Sequence, residues 1–436
     1  MQQILPESQS LGSFHPHTLI LELDRTSQRA LQDSLNHLFI NKPAQILAHE
    51  LCHWIDIVGT VWGQDYLDDV FAALDSVSVD DPVKSYPFLL RLFDRDRTIL
   101  LPRYYKVVND AALPTNSKDP WKISYSCGAW ITPAGHLDEN KPIFFVRFND
   151  RFDDTLVSRQ PITIGALLEL RSVAAEVATF DHWLEGQALD EQTIATALFR
   201  RERIAEFYDP LFTTYSVAAH LLSVKTEQPD FSSTCLNGAV IADLCLNLVP
   251  KSFVRLRHPS AMRSGFSPQR LGGFKLNEDR GYLFACMAFF ADELGIRNLN
   301  REAVASLTEQ AGIGTPESIY AEAERYLEKK QSTLSILRDS NIRRIRTHLL
   351  AKGLEILRWR RLAGGNIRTV QEYINLDLPT PVIITGDCEM LKIGANAMSL
   401  DDGEILHATD LQLRDRTRDG LRAGRGLDFG FPDYVY

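Results

Sequence analysis

No two of the six cysteines, at positions 52, 127, 235, 245, 286 and 388, stand in the C-x-x-C spacing of a zinc ribbon or a redox pair. Six in 436 residues are too few for a disulfide scaffold. Cys52 and Cys286 lie in apolar helical text, and the set reads as free buried thiols of a reducing cytoplasm. Long apolar runs are missing too. The longest, YLFACMAFFA at 282–291, is far shorter than the ~20 residues a bilayer-crossing helix requires, and reads as a core helix. The opening MQQILPESQSLGSFHPHTLILEL lacks the basic start and unbroken apolar core of a secretory signal. These absences lead to the expectation of a cytoplasmic protein without a membrane attachment.

Positive charge is also in short supply. Lys and Arg number 47 against 57 Asp and Glu, a formal net charge of -10, which repels phosphate and disfavours a nucleic-acid partner. No repeat of fixed period appears. The glycine-rich pieces GGN (364–366) and GRGLDFG (424–430) do not stand between a strand and a helix with phosphate-loop spacing, so no nucleotide site is assigned. What is present is apolar material, 44% of the chain, enough for a large core in two or three domains or one elaborate one.

Hydrophobic spacing predicts a strand at 17–23, helices at 27–40 and from Pro43 to about Val58 with Gly59 as its stop, and a further helix at 64–77. Residues 85–150 change character. TILLPRYYKVV, WKISYSCGAWIT and PIFFVRFND read as strands between Pro, Asn, Asp and Gly turns. From Ile162 to about 365 the text is helical, with EFYDPLFTTYSVAAHLLSV and TLSILRDSNIRRIRTHLLAKGLEILRWRRLA each read as one piece; a mixed segment, 366–436, follows.

Within the second helix, ILAHELCHWIDIVGT begins at residue 46 and carries His49, Glu50 and His53 in the pattern H-E-x-x-H. Residues four apart lie on one helical face about 6 Å along the axis, so both imidazoles can close on one ion. Zinc suits imidazole, and a catalytic zinc needs three protein ligands. Glu50, ~100° round the helix from His49, stands where a base for a zinc-activated water belongs. Inward-facing groups of this kind are costly without a ligand. Asp56 shares the face. It reads either as an acceptor for the second nitrogen of a histidine or as a solvated carboxylate.

Three sources of a third ligand are testable in the text. The metzincin continuation fails, because Asp56 stands at its glycine and Gly59 at its last histidine. An aspartate after G-T is present as Asp65 in GTVWGQD, two residues late. A glutamate from a second helix is offered by ITIGALLELRSVAAEVATF (162–180), where Glu169 and Glu176, seven apart, share a face. Glu169 is taken as the ligand. Glu176 is taken as a support for the ligands or a partner of Arg171, with the two roles exchangeable. Tyr208, Tyr215, His182 and His220 are the candidates for steadying an oxyanion, and His15 and His17 in FHPH read as surface residues.

The segments AHELCHWIDIVGT and FFVRFND…ITIGALLELRSVAAE, with β-rich text between them, resemble a group of bacterial H-E-x-x-H proteins regarded as zinc metallopeptidases of the gluzincin kind. The resemblance spans roughly residues 15–190; in some members the glutamate falls where this chain has Arg171. It implies an α+β fold with a zincin-like catalytic domain over 1–205; the text beyond reads as a helical domain over 206–365 and the mixed segment. It further implies Zn2+ held by His49, His53 and Glu169, Glu50 as general base, and a protein or peptide substrate. The helical half, which resembles no family, would select substrate or restrain the enzyme until a regulatory protein partner arrives. The competing reading is a degenerate zincin scaffold. It would bind a protein or nucleic acid through the arginine-rich helix after Thr333, where the interleaved Asp339 and Glu355 favour a solvated or salt-bridged face.

Overall fold

The computed structural model describes residues 12–37, 42–78, 82–109, 120–132, 135–228, 230–365, 369, 372–373, 377–394 and 396–423; GRGLDFG lies outside them. The chain is mixed α+β and mostly helical, with two small four-stranded sheets. Strands β1 (Ser13–His15) and β2 (Ile20–Leu23) lead into α1 (Gln28–His37), α2 (Lys42–Gly59), α3 (Val61–Ser76) and α4 (Pro82–Leu100). Then come β3 (Val107–Val108), β4 (Trp121–Ile131), β5 (Leu137–Asp150) and β6 (Leu156–Pro161). A helical stretch follows: α5 (Ile164–Leu184), α6 (Leu189–Phe207), α7 (Thr213–Thr226), α8 (Phe231–Asn247), α9 (Ser260–Gly265), α10 (Pro268–Leu276), α11 (Arg280–Glu293), α12 (Arg301–Gln310), α13 (Pro316–Lys330) and α14 (Ser340–Ala363). Strands β7 (Val382–Thr385) and β8 (Met390–Leu391) and helix α15 (Leu400–Ala423) complete the described chain.

One sheet has the order β1-β2-β7-β8, with β2 parallel to β7 through Ile20 opposite Val382. The beginning and end of the chain therefore share a sheet. The other is antiparallel, ordered β3-β6-β5-β4. Phe144, Val146 and Phe148 of β5 enter the core formed with α5, α7, α8 and α11, while Ile143 and Phe145 pack with Tyr105 on the opposite face. The YLFACMAFFA run is a core helix as its spacing predicts: every residue of α11 from Arg280 to Ala291 is buried.

Helices α2 and α5 are buried almost all round, as expected of helices without a polar face. They pack along each other, and α14 packs on α2. Two glycines allow that approach. A Cβ on Gly353 would lie 2.3 Å from the Val58 carbonyl oxygen, and one on Gly59 would lie 2.2 Å from Cγ2 of Ile356.

Three local expectations are corrected. TILLPRYYKVV is not a strand: α4 runs to Leu100, and only Val107–Val108 pairs in a sheet. Leu89, Leu92 and Ile99 are buried at helical spacing, and Arg91 and Arg95 pair with Asp69 of α3. That tertiary packing outweighs the β-preference of the text, and the helix ends at Leu101, in left-handed conformation, before Pro102. EFYDPLF and TLSI are likewise not continuous helix. Pro210 opens a 3-10 turn between α6 and α7, and α14 begins only at Ser340, capped by Asp339. His15 and His17 are not surface residues. His15 pairs with Glu22 at 3.1 Å, and His17 lies 3.4 Å from both Asp96 of α4 and Asp410 of α15. No helix among the described residues is long and apolar enough to cross a membrane.

Two predictions follow from this packing. Gly353→Ala should lower stability by about 1–3 kcal/mol, since the new methyl meets the Val58 carbonyl oxygen, which cannot swing aside, as well as the Gln64 side chain; an unchanged urea midpoint contradicts the close approach. Burial opposes a charge on His17, but Asp96 and Asp410 outweigh it and lift the ring to about 10. A raised folded value means its stabilisation is complete below the ordinary histidine range and disappears as pH rises through about 10. The stability difference between wild type and His17→Gln should therefore shrink from pH 6 to pH 10, on the order of the shift itself, and a pH-independent difference contradicts the ion pair.

Candidate metal centre

Side by side, α2 and α5 turn His49 and His53 toward Glu169, Ser172 and Glu176. His49 Nε2 lies 3.2 Å from Glu169 Oε2, and His53 Nε2 lies 3.8 Å from Glu169 Oε1. One ligand atom from each of His49, His53 and Glu169 lies within 4.8 Å of the others. Among the described residues this is the one group of three such side chains that could hold a metal ion. The imidazoles sit edge to face, with centroids 4.9 Å apart. Thr163 caps α5 by accepting the N–H of Ala166, and Thr60, just past the end of α2, caps α3 by accepting that of Gly63.

The donor set fits a divalent cation. Glu169 is 1% exposed, and its Oε2 has no hydrogen-bond partner despite the nearby His49 ring. A buried carboxylate oxygen left in this way calls for a cation. Burial, then the neighbouring His49, push His53 well below the usual histidine range, so it keeps a lone pair to donate. Burial works against a charge on His49, yet Glu169 and Glu176 together raise it well above that range. Glu50 is nearly buried and lies close enough to His49, Glu169 and Glu176 to feel their charges. Burial raises it to about 7, with Glu169, Glu176 and Asp24 adding to the shift against His49.

Glu176 stands behind His49, on the side of the ring away from Glu169. Its Oε1 accepts from Nδ1 of His49 at 2.6 Å, and its Oε2 pairs with Arg203 of α6. Ser172 Oγ stands 3.2 Å from Nδ1 of His53. The readings that tied Asp56 to a histidine and Glu176 to Arg171 are corrected: Arg171 donates to both oxygens of Asp56 at 2.9 Å. Arg360 of α14 also pairs with Asp56 and with Asp243 of α8, Arg171 Nη1 reaches Asp243 at 3.3 Å, and Tyr320 of α13 donates to Asp243. All five groups are buried. Asp65 lies outside the centre, bound to Tyr326 at 2.9 Å and Lys330 at 2.7 Å.

The oxyanion candidates have partners of their own. His220 meets the Phe207 carbonyl at 3.0 Å and packs among Trp121, Phe148 and Tyr208. His182 pairs with Glu185 near the surface, and Tyr215 packs on Phe212. The cation that does reach the centre, Arg203, went unnoticed in the sequence. It arrives from a separate helix, in text whose only local signal is its pairing with Glu206. All six cysteines are free; Cys52, Cys235, Cys245 and Cys286 are buried, while Cys388 is exposed. No protein-family model, curated protein or solved structure matches the chain.

Replacing Asp56 by Leu leaves Arg171 and Arg360 with one carboxylate fewer in an apolar interior. It should destabilise the protein by about 3–5 kcal/mol, read from chemical denaturation, and an unchanged midpoint contradicts the network.

Proposed function

We propose that the protein is a zinc-dependent hydrolase, a metallopeptidase that acts on a protein or peptide. The observation that carries this reading is the buried His49, His53 and Glu169 group, drawn from an H-E-x-x-H helix and a glutamate of a second helix. In this reading the two helices and the β3–β6 sheet belong to a zincin-like arrangement of the gluzincin kind. Zinc, when bound, supplies Lewis acidity, which acidifies water and polarises a carbonyl oxygen.

The chain's own residues supply the rest. His53, neutral in its buried place, donates a lone pair, and Ser172 steadies its ring. Glu176 takes the Nδ1 proton of His49 in a hydrogen bond, which leaves Nε2 directed toward Glu169. Glu50, beside His49 in sequence, faces the same space through a carboxylate that feels only burial and neighbouring charges. It is therefore available to take a proton from water at one of its oxygens and return it to a leaving amine. The centre is nearest solvent at His49, whose side chain is 15% exposed, so substrate enters from that side.

The helical half is assigned the part of selecting substrate or restraining the enzyme until a regulatory protein binds, a role favoured by the pairing of Arg360 on α14 with Asp56 on α2. The interaction-protein reading has less support. Of the arginines on α14, Arg344 pairs with Asp402, Arg346 with Asp68, and Arg358 and Arg361 with Glu324, so these cations are already matched within the chain.

Purified protein should hold one zinc per chain, and Glu50→Gln should keep that zinc while peptide cleavage falls about 10²–10⁴-fold. Metal analysis alongside a peptide-library assay checks both. Absence of zinc, or cleavage retained by the variant, contradicts the proposal.

A further inference from the structure

We infer that Arg203 of α6 is a positioning residue for the metal group: it holds Glu176 on Nδ1 of His49 and so fixes the ring direction that offers Nε2 to an ion. The inference rests on the zinc reading above and adds a residue from outside the two metal-bearing helices.

Helix α6 is mostly exposed, with only Phe199 and Phe207 buried. Phe199 stacks on Phe180 of α5 at 4.0 Å between ring centroids, and the Arg203 guanidinium lies 5.4 Å from the Phe199 ring. This stack aims the side chain. Nη2 pairs with Glu176 and reaches Oε1 of Gln45 at 3.4 Å, while Nη1 pairs with Glu206 at 2.9 Å. Gln45 and His49 stand one helical turn apart on α2, so Arg203 bridges α2 and α5 at the end of the groove where His49 meets solvent. A planar guanidinium suits this, since it can address several acceptors in fixed directions.

Glu176 is buried, with Oε1 on His49 and Oε2 on Arg203. Without Arg203 the second oxygen loses its partner in a largely apolar place, and the carboxylate turns to find another, which weakens its grip on His49. Outer groups that orient a ligand in this manner typically change metal affinity by about 10–100-fold.

The test compares wild type, Arg203→Met, Arg203→Lys, Glu176→Gln and the Arg203→Met/Glu176→Gln double variant. Zinc affinity is measured by competition with a chromophoric chelator, and the downfield Nδ1 proton of His49 is followed by NMR in zinc-free protein. Arg203→Met should weaken zinc binding about 10–100-fold and shift or remove the His49 signal. Arg203→Lys should recover part of both, and the double variant should bind no more weakly than Glu176→Gln alone. Wild-type affinity in Arg203→Met with an unmoved His49 signal, or losses that add in the double variant, overturn the inference. If wild type binds no zinc, the zinc reading fails, and the His49 proton alone decides the part played by Arg203.

Discussion

Carboxylates and imidazoles packed between two nearly apolar helices are the constraint on which the rest of this structure depends. Glu169 has almost no contact with water, and one of its oxygens has no hydrogen-bond partner. Such a group is tolerable only when charge of the opposite sign is held against it. His49, His53 and Glu169 converge on one place, a donor set that fits a divalent cation. The same burial that makes the centre costly without an ion strengthens any interaction made with one.

Much of the remaining fold holds α2 against α5 at the right separation. Asp56, one turn below His53, and Asp243 share Arg171 and Arg360, so helices α2, α5, α8 and α14 meet in one buried ionic network. Gly59 and Gly353 let α14 approach closely enough for Arg360 to reach it. A network of this type adds less to stability than its ion pairs suggest, because each charge first loses water. It does make one relative placement of the helices far better than its neighbours, which is what a metal group requires. Arg203 does a comparable job at the opposite, solvent-facing end of the groove.

The metal group was legible because it is local twice over. The four-residue spacing of His49 and His53 and the seven-residue spacing of Glu169 and Glu176 each define a helical face without knowledge of the fold. The choice between the glutamates was not legible. Both reach His49, one beside Nε2 and one on Nδ1, and only the packing of the helices separates them. Asp56 was misjudged for a similar reason. Its partner Arg360 lies 304 residues away, and no periodicity connects them. The β-rich text before Pro102 misled because buried leucines at helical spacing and pairing to Asp69 decided the local structure. The pairing of β2 with β7 joins segments far apart in sequence, which no local pattern reveals.

X-ray absorption at the zinc edge, on the full chain loaded with one equivalent of zinc, tests the central claim most directly. The account predicts a shell of nitrogen and oxygen at about 2.0–2.2 Å, with the multiple-scattering signature of two imidazoles and no sulfur near ~2.3 Å. A sulfur contribution, or a shell without imidazole, would contradict it.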